Sequence, residues 1–496
     1  RLRSFKRWMR SHGIECSDAL ELAEEAPGRG VFVAALCGLK EGDLVATIPK
    51  SACLTTRTSG ARPLIEGAAL GGCLALAVAL MYERSLGPGS PWYGYLRLLP
   101  DRECVPLVWS ASEVEELLAG TELDKSRSKH EWAIAVTPNG QTVKEDKACL
   151  YEDWKESIEP LIHTGPLKLD PHYFGLEQYF SAKTLISSRS FEIDSYHGSG
   201  MVPLADLFNH KTGAENVHFT NAALPSDSDD ESADNISDAS SSSRPSMEVN
   251  SNSPGGKDEA LEMIVVREVD AGAEVFNTYG LVGNAALLHR YGFTELDNPF
   301  DIINIDLALV TKWSSYKFSN RRTRSRLSTW RKLNYSGCTS QDSEYFEISY
   351  NGEPQLELLV LLYIITLVES TFEKLKMMMD TLESTYDCFS SVVELIKITR
   401  SNGCKDLKII NGQKEPEDLK KLLLTESVCC ALLALADSRE SLYGSNSLED
   451  DLKKLSNCCC ISERKLYHSL VLRVSERKIL RRLRAYATRS SKKRKL

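Results

Sequence analysis

Four short stretches of the chain set polar, chemically capable side chains beside apolar ones. Val202-Pro203-Leu204-Ala205-Asp206-Leu207-Phe208-Asn209-His210 brings an Asp, an Asn and a His into five positions after an apolar run. Each of these groups needs a hydrogen-bond partner once buried, so the cluster marks either a satisfied structural network or a site. Val275-Phe276-Asn277-Thr278-Tyr279-Gly280 is followed by Asn284 and then Tyr291-Gly292-Phe293, while Ser188-Arg189-Ser190-Phe191 contributes a cation. Gly28-Arg29-Gly30 is a glycine turn of the kind that lets backbone approach a ligand closely. It is not a dinucleotide fingerprint, because the third glycine is missing and no helix follows. A Ser/His/Asp hydrolase is a poor reading, since no G-x-S-x-G elbow occurs. Cys429-Cys430 and Cys458-Cys459-Cys460 lack the separated C-x-x-C pairs of a zinc site, and no metal is expected.

The elements that must position these residues read as strands at both ends of a helical middle. A helix from Phe5 gives way to strands at Gly30–Ala34 and at Leu44–Ile48, the latter stopped by Pro49. Ala68–Glu83 reads as a buried helix, and Glu113–Leu118, Trp154–Leu161 and Leu176–Ser187 continue the helical character. Strand-like text returns at Leu261–Val269 and Glu274–Tyr279. This is α+β organisation: a β-rich domain with a helical insertion at about 60–190. Beyond about Asp306 the texture is helical. Leu356, Leu359, Val360, Tyr363, Ile364 and Leu367 fall on one helix face, Leu419 to Leu433 form a further helix, and Leu466–Tyr486 a last, basic one. The expected domains are therefore 1–306 and 307–496.

The ordered set of motifs resembles the SET-domain protein methyltransferases, in the branch typified by the plant Rubisco large-subunit lysine methyltransferase. Gly28-Arg29-Gly30 is similar to that family's G-x-G loop, Asp206 to His210 to its D-x-x-N-H motif, and Tyr279, Asn284 and Tyr291-Gly292-Phe293 to its Y-x(n)-N…Y-G-F signature. Ser90-Pro91-Trp92-Tyr93-Gly94-Tyr95 with Leu99-Pro100, and Ser188-Arg189-Ser190-Phe191, resemble further stretches of this branch. The likeness runs from about Phe5 to Leu296. It implies a SET β-fold with a pseudoknot, in which the C-terminal SET segment threads a loop bearing the Asn-His pair. It also implies an α-helical substrate-binding domain at 307–496.

By the same resemblance the cofactor is S-adenosylmethionine, bound by Gly28, Arg29, Gly30, Arg189, Asn209 and His210, with Phe293 against the adenine. Tyr279 corresponds to the catalytic tyrosine, Tyr291 to a wall of the lysine channel, and Asp206 to a residue that shapes the site near the target amine. Two positions depart from the pattern: Pro27 stands where many relatives place an acidic residue, and Gly280 where the Rubisco enzyme has Asp. The implied activity is methylation of a lysine on a non-histone protein. A catalytically silent binding or scaffold module, and a protein-histidine or histone-lysine methyltransferase, remain as alternatives. The residue types suit methyl transfer to lysine. The amine must be neutral to attack, against an ordinary pKa of about 10.4, and an apolar channel beside a sulfonium disfavours its charged form.

Bulk properties set the outer bounds. The chain has 496 residues, 42% hydrophobic and 26% charged, with a formal net charge of −9. Its longest apolar stretch, Ala68–Met81, is too short to span a bilayer, which takes about 20 residues, so no membrane partner is expected. Nine acidic residues against two basic ones fall between Ala222 and Ala260, and Ser226–Pro254 reads as a disordered loop. From Arg473 to Leu496 eleven Lys/Arg face the single Glu476, and the Ser491–Lys495 end resembles a nuclear-import patch. Neither feature makes the chain a bulk nucleic-acid binder, and direct nucleic-acid contact is not expected. The fourteen cysteines read as reduced thiols in an intracellular compartment, cytoplasmic or nuclear, or a chloroplast if a transit peptide was removed upstream of Arg1. A monomer with a protein substrate is expected.

Overall fold

The computed structural model describes residues 1–24, 30–124, 143–164, 169–221, 260–332, 345–379, 395–396, 399 and 416–492. Gly28 and Arg29, all of the acidic loop except Ala260, and the basic tail beyond Lys492 lie outside the described residues. The chain divides into two compact units, residues 1–101 with 156–279 and residues 102–155 with 280–496.

The first unit opens with the Leu2–Ser11 helix, whose Phe5, Trp8 and Met9 are buried at i, i+3 and i+4 spacing. Eight strands follow: β1 (Glu15–Cys16), β2 (Leu20–Glu24), β3 (Val31–Ala35), β4 (Leu44–Pro49), β5 (Ser190–Asp194), β6 (Gly198–Met201), β7 (Val217–Asn221) and β8 (Ala260–Val265). An antiparallel sheet runs in the order β1-β4-β8-β7, and β2 with β3 and β5 with β6 form separate hairpins. Strand β8 buries Leu261, Met263 and Val265 and leaves the alternate residues half-buried, as a period of two requires. The expected helix at Ala68–Glu83 begins later, at Gly72, and runs to Ser85. A shorter helix, Arg62–Gly67, ends just before Ala69, whose positive φ of 51° breaks the run together with Gly72 at 55°. Apolar content gave the helix; the left-handed backbone that splits it carries no apolar signature.

Glu274–Tyr279, expected as a strand, is extended but belongs to no sheet, because its neighbours change along its length. Val275 N–H donates to the Val33 carbonyl (2.8 Å) and Ala35 N–H to Ala273 (2.9 Å), so the segment starts as a companion of β3. Two residues on, Asn277 N–H donates to the Asn209 carbonyl (2.8 Å), in a parallel bridge between His210 and Asn277. Asn216 and Val217 N–H both donate to the Phe276 carbonyl. The segment is thus a strap, satisfied residue by residue from three places.

The second unit is mainly helical, with a small antiparallel pair, β9 (Ile303–Asp306) and β10 (Tyr345–Ile348), that the sequence did not suggest. The Leu356–Thr366 helix differs from the one-face reading: every residue from Leu358 to Ile365 is buried. Helical spacing found its register, yet a helix apolar on all sides is a central core element rather than an amphipathic one. The expected helix over Leu419–Leu433 is two helices, Pro416–Leu423 and Glu426–Glu440. Thr425 separates them, its hydroxyl accepting from Val428 N–H (3.2 Å) as the cap of the second. Thr425→Ala is expected to lower stability by about 1 kcal/mol, the usual worth of such a cap, read from urea unfolding midpoints; an unchanged midpoint would deny the cap its role.

Candidate active site

The strap delivers Tyr279 to the Asn209–His210 loop, and that crossing is built from named hydrogen bonds. His210, nearly buried, accepts the Tyr279 backbone N–H on Nδ1 (2.9 Å). An amide can only donate, so the proton of the neutral imidazole sits on Nε2, within reach of the Thr212 hydroxyl (3.1 Å). The two rings stack, with centroids 5.1 Å apart and planes 26° from parallel. The Tyr279 hydroxyl donates to the Phe208 carbonyl (3.2 Å). Its proton is thereby committed, which leaves the phenol oxygen an acceptor for an incoming N–H. Asn209 is exposed, and its carboxamide donates to Glu274 Oε1 (2.7 Å), a second tie between loop and strap. Glu274 and Thr212 were not visible as site residues in the sequence, since neither lies in a motif.

Gly30 enters β3 with φ of +88° and, among the described residues, nothing within 4 Å of where a side chain would begin. Its glycine is required by the backbone conformation, and the open space beside it is what a turn that cradles a ligand needs. Because β3, which Gly30 leads into, carries the strap on Val33 and Ala35, β3, the loop and the strap belong to one hydrogen-bonded assembly.

Asp206 opens the loop from a 3-10 turn, Ala205–Leu207, entered through Leu204 at φ of +77°, a left-handed conformation rare for leucine. Its side chain is fully enclosed. Oδ2 accepts the Tyr95 hydroxyl (2.8 Å) and lies 3.5 Å from Arg189 Nη1, which also donates to the Asp206 carbonyl (3.1 Å). Oδ1 is buried with no hydrogen-bond partner among the described residues. Burial pushes the carboxyl up to about 6, against the pull of Arg189 and Tyr95. Tyr95 is held in turn by the first helix, its ring packed near Phe5 and Trp8 at 6.2 and 6.1 Å. A folded pKa above the unfolded one means that stability is lost as pH rises from about 3.8 to 6. Asp206→Asn is therefore expected to gain on the wild type by up to about 3 kcal/mol between pH 4 and pH 7. Denaturant unfolding at the two pH values checks this; a gap that does not widen with pH would contradict it.

Asn284, Tyr291 and Phe293 lie in the second unit. Asn284 is fully buried at the start of the Asn284–Tyr291 helix and serves the scaffold: its amide group donates to the Glu295 carbonyl and Asp301 Oδ2 (both 2.8 Å) and accepts from Glu295 N–H (2.7 Å). Gly292 ends that helix at φ of +76°, and a Cβ there would meet the Cys104 carbonyl oxygen at 2.9 Å. Tyr291 and Phe293 flank it as a tilted pair, 6.2 Å between centroids, and burial raises the Tyr291 hydroxyl above its ordinary value.

This architecture has known counterparts. The structure of the SET domain of LSMT bound to lysine and AdoHcy superposes with a TM-score of 0.60 at 18% identity, covering 98% of this chain and 90% of that one. The chain has the SET-domain fold seen in that structure. Rubisco LSMT bound to AdoMet gives a TM-score of 0.58, also at 18% identity, over 99% of this chain and 92% of that one. Among curated proteins, ribosomal lysine N-methyltransferase 3 of Saccharomyces cerevisiae is 27% identical over 337 residues, 57% of this chain and 60% of that protein. N-lysine methyltransferase setd6 of Salmo salar is 27% identical over 341 residues, 65% of this chain and 63% of that protein. The chain thus spans about three fifths of the length of the curated relatives it matches. No family model matches the chain. No helix among the described residues is long and apolar enough to cross a membrane.

Proposed function

We propose that the protein is an S-adenosylmethionine-dependent protein-lysine N-methyltransferase acting on a non-histone protein. The observation that carries this reading is the crossing of strap and loop, which fixes a tyrosine hydroxyl beside an Asn-His pair within a SET fold. The relatives named as lysine methyltransferases, and the neighbours that bind AdoMet or AdoHcy and lysine, support it. The residues present fit the cofactor: the left-handed backbone at Gly30 and the exposed Asn209 amide offer a cradle and a polar anchor, and the His210 imidazole, engaged by Tyr279 and Thr212, holds the loop in place. Gly28, Arg29, Arg189 and Phe293 are assigned to cofactor binding, and Asp206 and Tyr291 to the substrate side, on the family resemblance. Residues 1–306 act as the catalytic part and 307–496 as the helical substrate-binding part, in an intracellular setting.

S-adenosylmethionine, when bound, supplies an electrophilic methyl group. The chain itself must deliver a neutral amine in line with that methyl, at about 3–3.5 Å. Tyr279 suits the task because its own proton is engaged by Phe208, so it accepts an N–H from the amine and directs the nitrogen lone pair elsewhere. The stack on His210 fixes the ring that carries the hydroxyl. The test is transfer of labelled methyl from S-adenosylmethionine to the proteins of a cell lysate, followed by acid hydrolysis. Label in N-methyl-lysine is expected. Label in methyl-histidine alone, or no transfer by protein shown to bind the cofactor, would overturn the assignment.

A further inference from the structure

Between Leu307 and Ser340 the sequence has eight Lys/Arg and no Asp or Glu. The described part of this stretch forms two consecutive helices of the second unit, Leu307–Lys317 and Asn320–Lys332. Two of the cations serve the fold. Arg326 is fully buried and donates to the Ile364 carbonyl and Glu369, and Arg322 covers the Phe318 ring and donates to the Leu367 carbonyl. Lys312, Lys317, Arg321, Arg324, Arg331 and Lys332 are exposed instead, and among the described residues none of the first five makes an ion pair.

Their placement is regular. On the second helix Thr323, Leu327 and Trp330 face the core, while Arg321 and Lys332 occupy the opposite side and Arg324 and Arg331 one flank, at i, i+11, i+3 and i+10, all exposed. At 1.5 Å per residue that row is about 16 Å long. Like charges three or four residues apart destabilise a helix, and Arg321–Arg324 holds that spacing with no carboxylate interposed. The first helix carries Tyr316, 93% exposed, one residue from Lys317 and one helical turn from Lys312.

We propose that this helical pair is a docking face for single-stranded nucleic acid, independent of the methyl-transfer reading. A row of guanidinium and ammonium groups tracks a phosphate backbone, and an exposed aromatic ring gives a base a surface to stack on. An acidic protein segment would use the cations equally well but has no base to stack on Tyr316, so the tyrosine favours nucleic acid. The chain-wide charge of −9 argues against nucleic acid only as an average; the local balance is the reverse.

The test is fluorescence anisotropy of the full chain with a labelled 12-nucleotide oligouridylate, its oligothymidylate counterpart, and a 12-residue oligoglutamate. Neutralising about four to six phosphates predicts a log–log salt slope of about −3 to −4 for a single strand. The variant R321E/R324E/R331E, altered only at exposed positions and checked by circular dichroism, is expected to lose at least 100-fold in affinity at low salt. Tyr316→Ala is expected to lose about 10-fold with the slope unchanged, within the range of one base stack. Absence of oligonucleotide binding, equal binding by the triple variant, or oligoglutamate binding as tightly with no effect of Tyr316→Ala would overturn the proposal, the last in favour of an acidic protein partner.

Discussion

Tyr279→Phe is expected to lower the rate of methyl transfer by about 10²–10³ while leaving the dissociation constant for S-adenosylmethionine within twofold. The magnitude is that of removing one preorganised polar contact made to the reacting groups. The asymmetry follows from the geometry: the variant loses the hydroxyl that donates to Phe208 and that the proposed function assigns to the amine, while the backbone N–H that binds His210 Nδ1 stays in place. The ring stack on His210 also survives, so the loop should keep its shape. Single-turnover kinetics with isothermal titration of the cofactor separates the two effects. If turnover and cofactor affinity fell together, Tyr279 would be a brace for the loop rather than a contact to the amine.

A second large effect is expected in the second unit, at Arg439. Its guanidinium is completely enclosed, donating to the carbonyls of Gly120 (2.7 Å) and Asn304 (3.3 Å) and to Glu122 Oε1 (3.0 Å), with Glu476 Oε2 at 3.7 Å. Glu476 accepts from the Tyr443 hydroxyl (2.6 Å) and Glu122 N–H (2.9 Å), and Glu122 accepts twice from Asn304. Two buried carboxylates thus share one cation. Burial and the nearby Glu122 push the Glu476 carboxyl up to about 8 in spite of Arg439. Arg439→Met is expected to cost about 3–5 kcal/mol, because it strands the carboxylates rather than because the intact network is itself strongly stabilising. A raised carboxyl pKa means that stability is lost as pH rises from about 4.5 toward 8, so the deficit should be larger at pH 8 than at pH 5.5. Adding Glu122→Gln and Glu476→Gln should recover most of the loss. A deficit unchanged by pH and by those two substitutions would point to lost packing instead.

The Arg439 network also shows where the sequence could and could not be read. Nothing in the text near Glu122, Arg439 or Glu476 pairs them, since they are more than 300 positions apart at the extremes and lie in an ordinary turn and two ordinary helices. The Asn209–His210 loop and Tyr279 were legible because each sits in a short stretch whose residue types are unusual for core or surface. The tie between Asn209 and Glu274 was not, as a glutamate beside an apolar run is commonplace. Boundaries failed where backbone conformation rather than hydrophobicity decides, at Ala69 and at Thr425. The strap failed for a related reason: alternation predicts an extended chain, whereas sheet membership depends on neighbours that the sequence does not announce.

The strap has a consequence for how the protein is made. Val275 finds its hydrogen bond on Val33, roughly 240 residues earlier, and Tyr279 finds His210 across 69. Contacts this distant in sequence must close large loops before they give any return, which slows folding. On the ribosome, β3 and the Asn209–His210 loop would wait with open hydrogen-bonding edges until the segment ending in Tyr279 emerges. The nascent first unit is therefore exposed to misfolding and to chaperones throughout that interval, and a chain stopped short of residue 279 would leave those edges without the segment that closes them.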